Sequence, residues 1–305
     1  MNKDLLSLDR LSAGDFDVIL DRSRVLKKIL YEGTPRDSLA GKTLGLLFDK
    51  SSTRTRLSFE AGVNQLGGTS TFLSRRDMQL GRGETVADTA RVMSRYLDGI
   101  VIRTYEQDLV EEFARWASIP VINGLTDLVH PCQILSDLFT IEEKKGTCRG
   151  ITVAYIGDGN NVANSWINAA GKLPFRLNLA CPDGYDPDGP LMERALNESP
   201  EGIRLYRSPR EAAAAADVIY TDVWASMGQE DEREQRIERF REYQVNQALV
   251  DCAADDVIVM HCLPAHRGEE ITDEVMEGPH SVVFDQAENR LHVQKAILEI
   301  LMRGE

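Results

Sequence analysis

The strongest constraint on the fold is a rhythm of short apolar runs and helical patterns that plays through the chain twice. Runs of strand length stand at Thr43–Phe48, Ser70–Leu73, Ile100–Arg103 and Pro120–Ile122, and helical spacing fills Arg56–Leu66, Thr85–Leu97 and Leu109–Ala117 between them. The rhythm restarts with strand candidates at Ile151–Ile156, Leu177–Ala180, Ile203–Tyr206, Val218–Asp222, Val257–His261 and Ser281–Phe284. Helical candidates there are Val162–Lys172, Ser208–Ala216, Asp231–Arg239 and Glu288–Arg303. Strand–helix alternation places helices on the faces of a parallel sheet, so two successive series predict an α/β fold of two doubly wound parallel-sheet domains. The charged stretch Glu142-Glu143-Lys144-Lys145-Gly146 marks the expected boundary, with a first domain over 1–145 and a second from 146.

A chain of 305 residues suits two domains of ordinary size. No apolar run approaches the roughly 18 residues a membrane span needs, and Met1-Asn2-Lys3-Asp4 opens no apolar leader, so neither a span nor a secretory signal is expected. The net charge of −14, from 35 basic and 49 acidic residues, disfavours nucleic acid and acidic membrane as partners. It leaves room for a small anion, because a few clustered arginines set their own local field. The five cysteines are odd in number and form no C-x-x-C pair, which argues against a disulfide framework or zinc ribbon and fits a reducing, cytoplasmic location. The cluster from Arg233 to Arg241, with interleaved glutamates, reads as a solvated helix face.

Open α/β sheets bind ligands at the carboxyl ends of their strands. Four polar clusters follow strands here. After Phe48 comes Asp49-Lys50-Ser51-Ser52-Thr53-Arg54-Thr55-Arg56, then a helix. A helix N-terminus with hydroxyls and arginines supplies N–H, O–H and guanidinium donors to a phosphate without the glycines of a P-loop. The plain alternative is a capped helix with surface arginines. In His130-Pro131-Cys132-Gln133 the histidine can donate to a carbonyl oxygen and the glutamine can hold an amide-like NH2, while the proline suits a helix start. Asp222-Val223-Trp224-Ala225-Ser226-Met227-Gly228 offers a carboxylate for an ammonium group and a turn for a carboxylate, or else a turn around a buried tryptophan. His261-Cys262-Leu263-Pro264-Ala265-His266-Arg267-Gly268 matches no common zinc spacing, so no metal is expected. The turn Gly157-Asp158-Gly159-Asn160-Asn161 follows a strand as a dinucleotide fingerprint does, but Val162 stands where the third glycine belongs, and a polar turn presenting Asn160 and Asn161 to a substrate is the alternative.

In their order along essentially the whole chain, these clusters resemble the aspartate/ornithine carbamoyltransferase family. Gln79-Leu80-Gly81-Arg82-Gly83-Glu84, Asp88-Thr89-Ala90-Arg91 and Glu288-Asn289-Arg290 extend the match, and the Ser-Met-Gly and His-Cys-Leu-Pro pieces are typical of the ornithine branch. The resemblance implies an active site in the cleft between the domains, a second domain over 146–285 and a last helix, 286–305, returning to the first. It implies a homotrimer in which the loop around Gln79 reaches a neighbouring subunit, and no metal or organic cofactor. It assigns carbamoyl phosphate to Ser52, Thr53, Arg54, Thr55, Gln79, Arg103, His130, Gln133, Cys262, Leu263 and Arg290. Of these, Thr55, Arg103 and His130 point at the carbonyl oxygen. L-Ornithine falls to Asn161, Asp222, Ser226 and Met227, with Cys262 beside the reacting δ-amine as a positioning or proton-handling group. Arg54, Arg103, His130 and Cys262 are thus the expected catalytic residues. A nicotinamide-dependent dehydrogenase, a non-catalytic anion-binding module and an aspartate-specific transferase are the rival readings. The missing glycine weighs against the first, the joint presence of Arg54, Arg103, His130, Cys262 and Arg290 against the second, and the segment Asp222–Gly228 against the third.

Overall fold

The structure is a computed structural model that describes residues 3–74, 78–79, 83–199, 201–225 and 232–303. The chain divides into two compact units, one of Met1–Phe139 with Asn289–Glu305 and one of Thr140–Glu288.

The first unit opens with α1 (Ala13–Tyr31), started by a capping box in which Ser12 accepts the Asp15 N–H and Asp15 takes the Ser12 N–H. There follow β1 (Thr43–Phe48), α2 (Thr53–Gln65), β2 (Thr69–Ser74), α3 (Val86–Met93), β3 (Gly99–Arg103), α4 (Gln107–Trp116), β4 (Val121–Leu125) and α5 (Pro131–Lys145). The strands form a parallel sheet in the order β2-β1-β3-β4. Every residue of β3 is buried, as a central parallel strand requires. Leu47, Ile100, Ile102, Val110, Phe113 and Val121 make the core where α4 lays its apolar stripe on the sheet. The terminal residues of the chain's last helix pack in the same unit: Arg22 and Arg36 both pair with buried Glu299. Burial alone would raise the Glu299 carboxyl, but hydrogen bonds from Arg22, Ser38 and Arg36 override it and hold it down to about 2.

The second unit continues with β5 (Thr152–Ile156), α6 (Asn161–Lys172), β6 (Arg176–Ala180), α7 (Gly189–Glu198), β7 (Ile203–Tyr206), α8 (Pro209–Ala213) and β8 (Val218–Thr221). Then come α9 (Arg233–Phe240), α10 (Gln247–Val250), β9 (Ile258–His261), α11 (Asp273–Met276) and the start of α12 (Val283–Met302). Its sheet is parallel, in the order β7-β6-β5-β8-β9. Trp166 of α6 packs edge-on against Phe175 and Tyr220, filling one face with large aromatic area.

Both sheets reverse direction once. In the first, successive strands run from β1 outward to β2 and then cross to β3 on the other side; in the second, they run β5, β6, β7 and then cross to β8. The gaps β1/β3 and β5/β8 are therefore topological switch points, where helices lie on opposite faces and leave a crevice at the strand ends. Residues 49–56 and 103 stand at the first, residues 157–161 and 222 at the second.

Two expectations are corrected. Ser281–Phe284 is no strand: Ser281 makes a single bridge to Val259 and the chain enters α12 at Val283. Four apolar residues cannot be told from the buried end of a long helix by periodicity. The arginines of α9 are not all solvated, for Arg236 is 7% exposed. The expected start of that helix, Asp231, lies outside the described residues.

Candidate active site

At the first switch point, Ser52 caps α2 by accepting the Thr55 N–H at 3.3 Å, and its hydroxyl donates to Thr55 Oγ1 at 3.0 Å. The cap uses one first-turn N–H, so those of Thr53 and Arg54 stay outside the helix's own bonding and carry the positive end of its dipole. Thr53 is exposed and Arg54 half-buried, and among the described residues the buried Arg54 Nε has no hydrogen-bond partner. Arg56 turns away: it pairs with Glu60 at 2.9 Å and lies 3.9 Å over the Phe72 ring.

Parallel pairing sets Arg103 beside Phe48, where its carbonyl accepts the Asp49 N–H at 2.8 Å, so its buried side chain leaves β3 at the mouth of the same crevice. Arg290, from α12, donates to Thr55 Oγ1 at 2.7 Å. His130, buried just before α5, has its pKa pushed far down, first by burial and then by the charges of Arg290 and Arg103. Its ring is therefore neutral, and a neutral imidazole can donate to an oxygen without adding charge among arginines. Gln133, one turn into α5, donates from Nε2 to Asp137 Oδ1 at 2.9 Å. That bond fixes the amide orientation, and Gln133 Oε1, also buried, has no hydrogen-bond partner among the described residues. It is an acceptor available to an NH2 group. Gln79 is exposed, and its carbonyl accepts the Glu84 N–H. The first switch point thus gathers Ser52, Thr55, Arg103, His130 and Arg290 as a cluster of donors, with one acceptor nearby.

The second switch point is of the opposite character. Asp222, just past β8, is buried, and its Oδ1 accepts the Cys262 thiol at 3.0 Å and the Val223 N–H at 2.8 Å. Its Oδ2 accepts from Asn160 Nδ2 at 2.8 Å. Asn160 in turn caps α6, taking the Val162 and Ala163 N–H groups on Oδ1. A dinucleotide pyrophosphate needs those N–H groups free, so the cap excludes the nucleotide reading of this turn. Gly159 has another reason to be glycine: a Cβ there would stand 2.3 Å from the Asp186–Pro187 backbone. Asn161 is the buried first residue of α6. Ser226 and Met227 lie outside the described residues.

Cys262 and Leu263 leave β9 in a turn, with Cys262 half-buried. Leu263 has φ +58°, a left-handed conformation rare for a residue with a branched side chain. Its N–H donates to His261 Nδ1 at 2.9 Å, while His261 Nε2 meets Glu270 Oε1 at 3.0 Å. Asp222, His261 and Cys262 offer ligand atoms within 4.8 Å of one another, but both ring nitrogens of His261 are taken by these bonds.

Asn160, which the sequence offers to a substrate together with Asn161, spends its side chain on Asp222 and on the cap of α6. Two residues escaped the sequence reading. Arg236 reaches back from α9 to bind Asp158 Oδ2 at 3.0 Å and the Trp224 carbonyl at 2.9 Å. Burial lifts the Asp158 carboxyl to about 6; Arg236 opposes the rise, and the nearby Asp222 charge adds to it. Glu270 is fully buried against His261. No local pattern marks either of the two, because their meaning comes from burial.

Comparison with known proteins completes the assignment. Residues 3–143 match the family model for the carbamoyl-P binding domain of aspartate/ornithine carbamoyltransferase, and residues 149–301 match the model for its Asp/Orn binding domain. An ornithine carbamoyltransferase of Syntrophus aciditrophicus is 65% identical over 302 residues, 99% of this chain and 100% of that protein. An anabolic ornithine carbamoyltransferase of Pseudomonas aeruginosa is 56% identical over 284 residues, 93% of this chain and 92% of that protein. The solved structure of ornithine carbamoyltransferase from Pyrococcus furiosus superposes with a TM-score of 0.96 at 51% identity, covering 99% of this chain and 97% of that one. With both family models matched in order, the chain belongs to the aspartate/ornithine carbamoyltransferase family.

Proposed function

We propose that this chain transfers the carbamoyl group of carbamoyl phosphate to the δ-amine of L-ornithine, giving L-citrulline and phosphate, in the biosynthesis of arginine. The observation that carries the acceptor assignment is the buried Asp222 carboxylate with the Cys262 thiol 3.0 Å away. An anionic group there suits an ammonium-bearing substrate and would repel a second substrate carboxylate. Ser52, Thr53, Arg54 and Thr55 hold the phosphate, with Arg103 and Gln79 adding to it. His130, Arg103 and Thr55 polarise the carbonyl, and Gln133, the Cys262–Leu263 turn and Arg290 hold the carbamoyl NH2 end. Asn161, Asp222, Ser226 and Met227 hold the amino-acid part of ornithine. We assign the domain roles to residues 1–145, 146–285 and 286–305, and the working form to a cytoplasmic homotrimer in which Gln79 serves a neighbouring subunit. No metal or organic cofactor enters the reaction: the amine nitrogen attacks the carbonyl carbon, a tetrahedral intermediate forms, the carbon–oxygen bond to phosphate breaks, and the amine loses a proton.

A colorimetric assay for ureido product with ornithine, putrescine and aspartate in parallel tests the proposal. Ornithine should exceed putrescine at least tenfold in kcat/KM, because putrescine leaves the carboxylate-binding groups unpaired at about 1–3 kcal/mol each. Aspartate should give no product. Aspartate as the better acceptor would overturn the acceptor assignment, and no ureido product from any of the three would overturn the reaction.

A further inference from the structure

Behind the Cys262–Leu263 turn lies a buried polar chain that the reaction above does not use. His261 ends β9 and Glu270 follows nine residues later; both side chains are fully buried. His261 Nδ1 accepts the Leu263 N–H at 2.9 Å, and a ring nitrogen that accepts carries no proton. The proton of the neutral ring therefore sits on Nε2 and is donated to Glu270 Oε1 at 3.0 Å. The same carboxylate oxygen takes the His266 N–H at 2.5 Å, so Glu270 clasps both ends of the segment 261–266. From the other side, Gln286 Oε1 accepts the His261 N–H at 2.9 Å and its Nε2 donates to the Tyr220 hydroxyl at 3.3 Å. The segment so held contains Leu263 at φ +58°. A left-handed conformation at a non-glycine residue is unfavourable and persists only where surrounding bonds over-determine it.

We infer that Glu270 is a positioning residue for the reaction, acting through the tautomer and orientation of His261 to hold the Cys262–Leu263 turn at Asp222. The chain of contacts is continuous: Glu270 fixes His261, His261 Nδ1 fixes the Leu263 amide, and Cys262, between them, directs its thiol to Asp222 Oδ1. Were Glu270 lost, the ring could rotate or move its proton to Nδ1, where it would face the Leu263 N–H donor to donor. The turn would then open, and misplacement of a reacting group by about 1 Å is worth roughly a hundredfold in rate. The inference rests on the proposed transfer to ornithine.

The test compares Glu270→Gln, Glu270→Asp and Glu270→Ala in the full chain, with both substrates varied. Glutamine keeps an oxygen for both N–H groups and should hold ornithine kcat/KM within threefold of the unaltered protein. Aspartate falls one methylene short and alanine offers no acceptor; each should lower ornithine kcat/KM at least tenfold while the KM for carbamoyl phosphate moves less than twofold. His261→Asn removes the ring that reaches Glu270, so adding Glu270→Asp to it should cost less than a further twofold. If Glu270→Ala does not fold, Glu270→Asp decides. Wild-type ornithine kinetics in Glu270→Asp, an equal rise in the KM of both substrates, or a Glu270→Gln protein as damaged as Glu270→Asp would overturn the inference. A second readout does not depend on turnover: native alkylation of Cys262 by iodoacetamide should change at least fivefold in rate in Glu270→Asp and less than twofold in Glu270→Gln. An unaltered chain that forms no citrulline overturns the proposed function, while an unchanged alkylation rate in Glu270→Asp overturns the positioning role.

Discussion

Arg236→Met should destabilise the second unit strongly, and by an amount that depends on pH. The guanidinium is 7% exposed and donates to Asp158 Oδ2, the Trp224 carbonyl and Glu232 Oε2, and it lies 4.9 Å over the Tyr185 ring. Methionine fills similar volume but leaves Asp158 buried without its ion partner, a loss of about 3–5 kcal/mol. At about 2–4 °C per kcal/mol for a unit of this size, the melting temperature at pH 8 should fall by roughly 10 °C. Asp158 also sets the pH dependence. Its carboxyl rises from the ordinary 3.8 to about 6 on folding, first because it is buried. Below pH 3.8 both states hold the proton. Between 3.8 and about 6 the unfolded chain ionises while the folded one resists, so stability falls as pH rises, by about 3 kcal/mol once pH exceeds 6. Removing Arg236 raises that carboxyl further, so the mutant's deficit should be smaller at pH 5 than at pH 8. Asp158→Asn added to Arg236→Met should restore more than half of the loss at pH 8. Thermal unfolding followed by tryptophan fluorescence reads all three proteins. A melting temperature within 2 °C of the unaltered protein, or a deficit that neither pH nor Asp158→Asn alters, would refute the reasoning.

Arg54→Ala should lower turnover roughly a hundredfold with the fold intact, because a charge-assisted contact to the phosphate is lost where it is strongest, in the transition state; steady-state kinetics and circular dichroism check it. His130 stays neutral in the folded first unit, its pKa held down by burial and then by Arg290 and Arg103, whereas the unfolded chain protonates near 6.5. Stability from this group is therefore full above pH 6.5 and declines as pH falls, and His130→Gln should flatten that decline in melts between pH 5 and 7.5. Iodoacetamide at pH 8 should label Cys252 and Cys262, both half-buried, and spare buried Cys132 and Cys148, whose thiols burial pushes up to about 12. An unreactive ornithine analogue should protect Cys262 alone, as peptide mass spectrometry would show.

Much of the fold was legible because parallel strands buried on both faces leave continuous apolar runs. Thr43–Phe48 and Ile203–Tyr206 are strands over the expected residues, and, Ser281–Phe284 aside, the other seven candidates differ at their ends by no more than a few residues. Helices α1 and α7 went unread, since Asp and Arg interrupt the apolar stripe of α1 and α7 buries only Leu191 and Ala195. At the site, the phosphate run was visible because a helix N-terminus uses residues adjacent in sequence. Asp158–Arg236 and His261–Glu270 were not, since each pairs residues whose role appears only once both are buried. A glutamate beside a second glutamate in Gly268-Glu269-Glu270, or an arginine in a run of alternating charge, looks like solvated surface until tertiary packing closes over it.

The two switch points sort charge in a way that bears on the hardest step of the proposed reaction. Cationic donors collect at the first switch point, at Arg54, Arg103 and Arg290, and the carboxylates Asp158 and Asp222 stand buried at the second. A dianion belongs with the first and an ammonium-bearing amino acid with the second, so a chain of net charge −14 still offers phosphate a positive site. The δ-amine must then lose its proton to attack, at a cost of about 4–5 kcal/mol near neutral pH. The Cys262 thiol donates to Asp222 Oδ1, which leaves its sulfur lone pairs as an acceptor and the carboxylate behind it as a place for the thiol proton. Asp222 already receives the Val223 N–H, the Cys262 S–H and Asn160 Nδ2. His130 is neutral, but its surroundings hold its pKa far below that of an amine, so as a base it is weak. In the proposed reaction the phosphate leaving the carbonyl is a further base. Protonation there activates the nucleophile and stabilises the leaving group in one transfer.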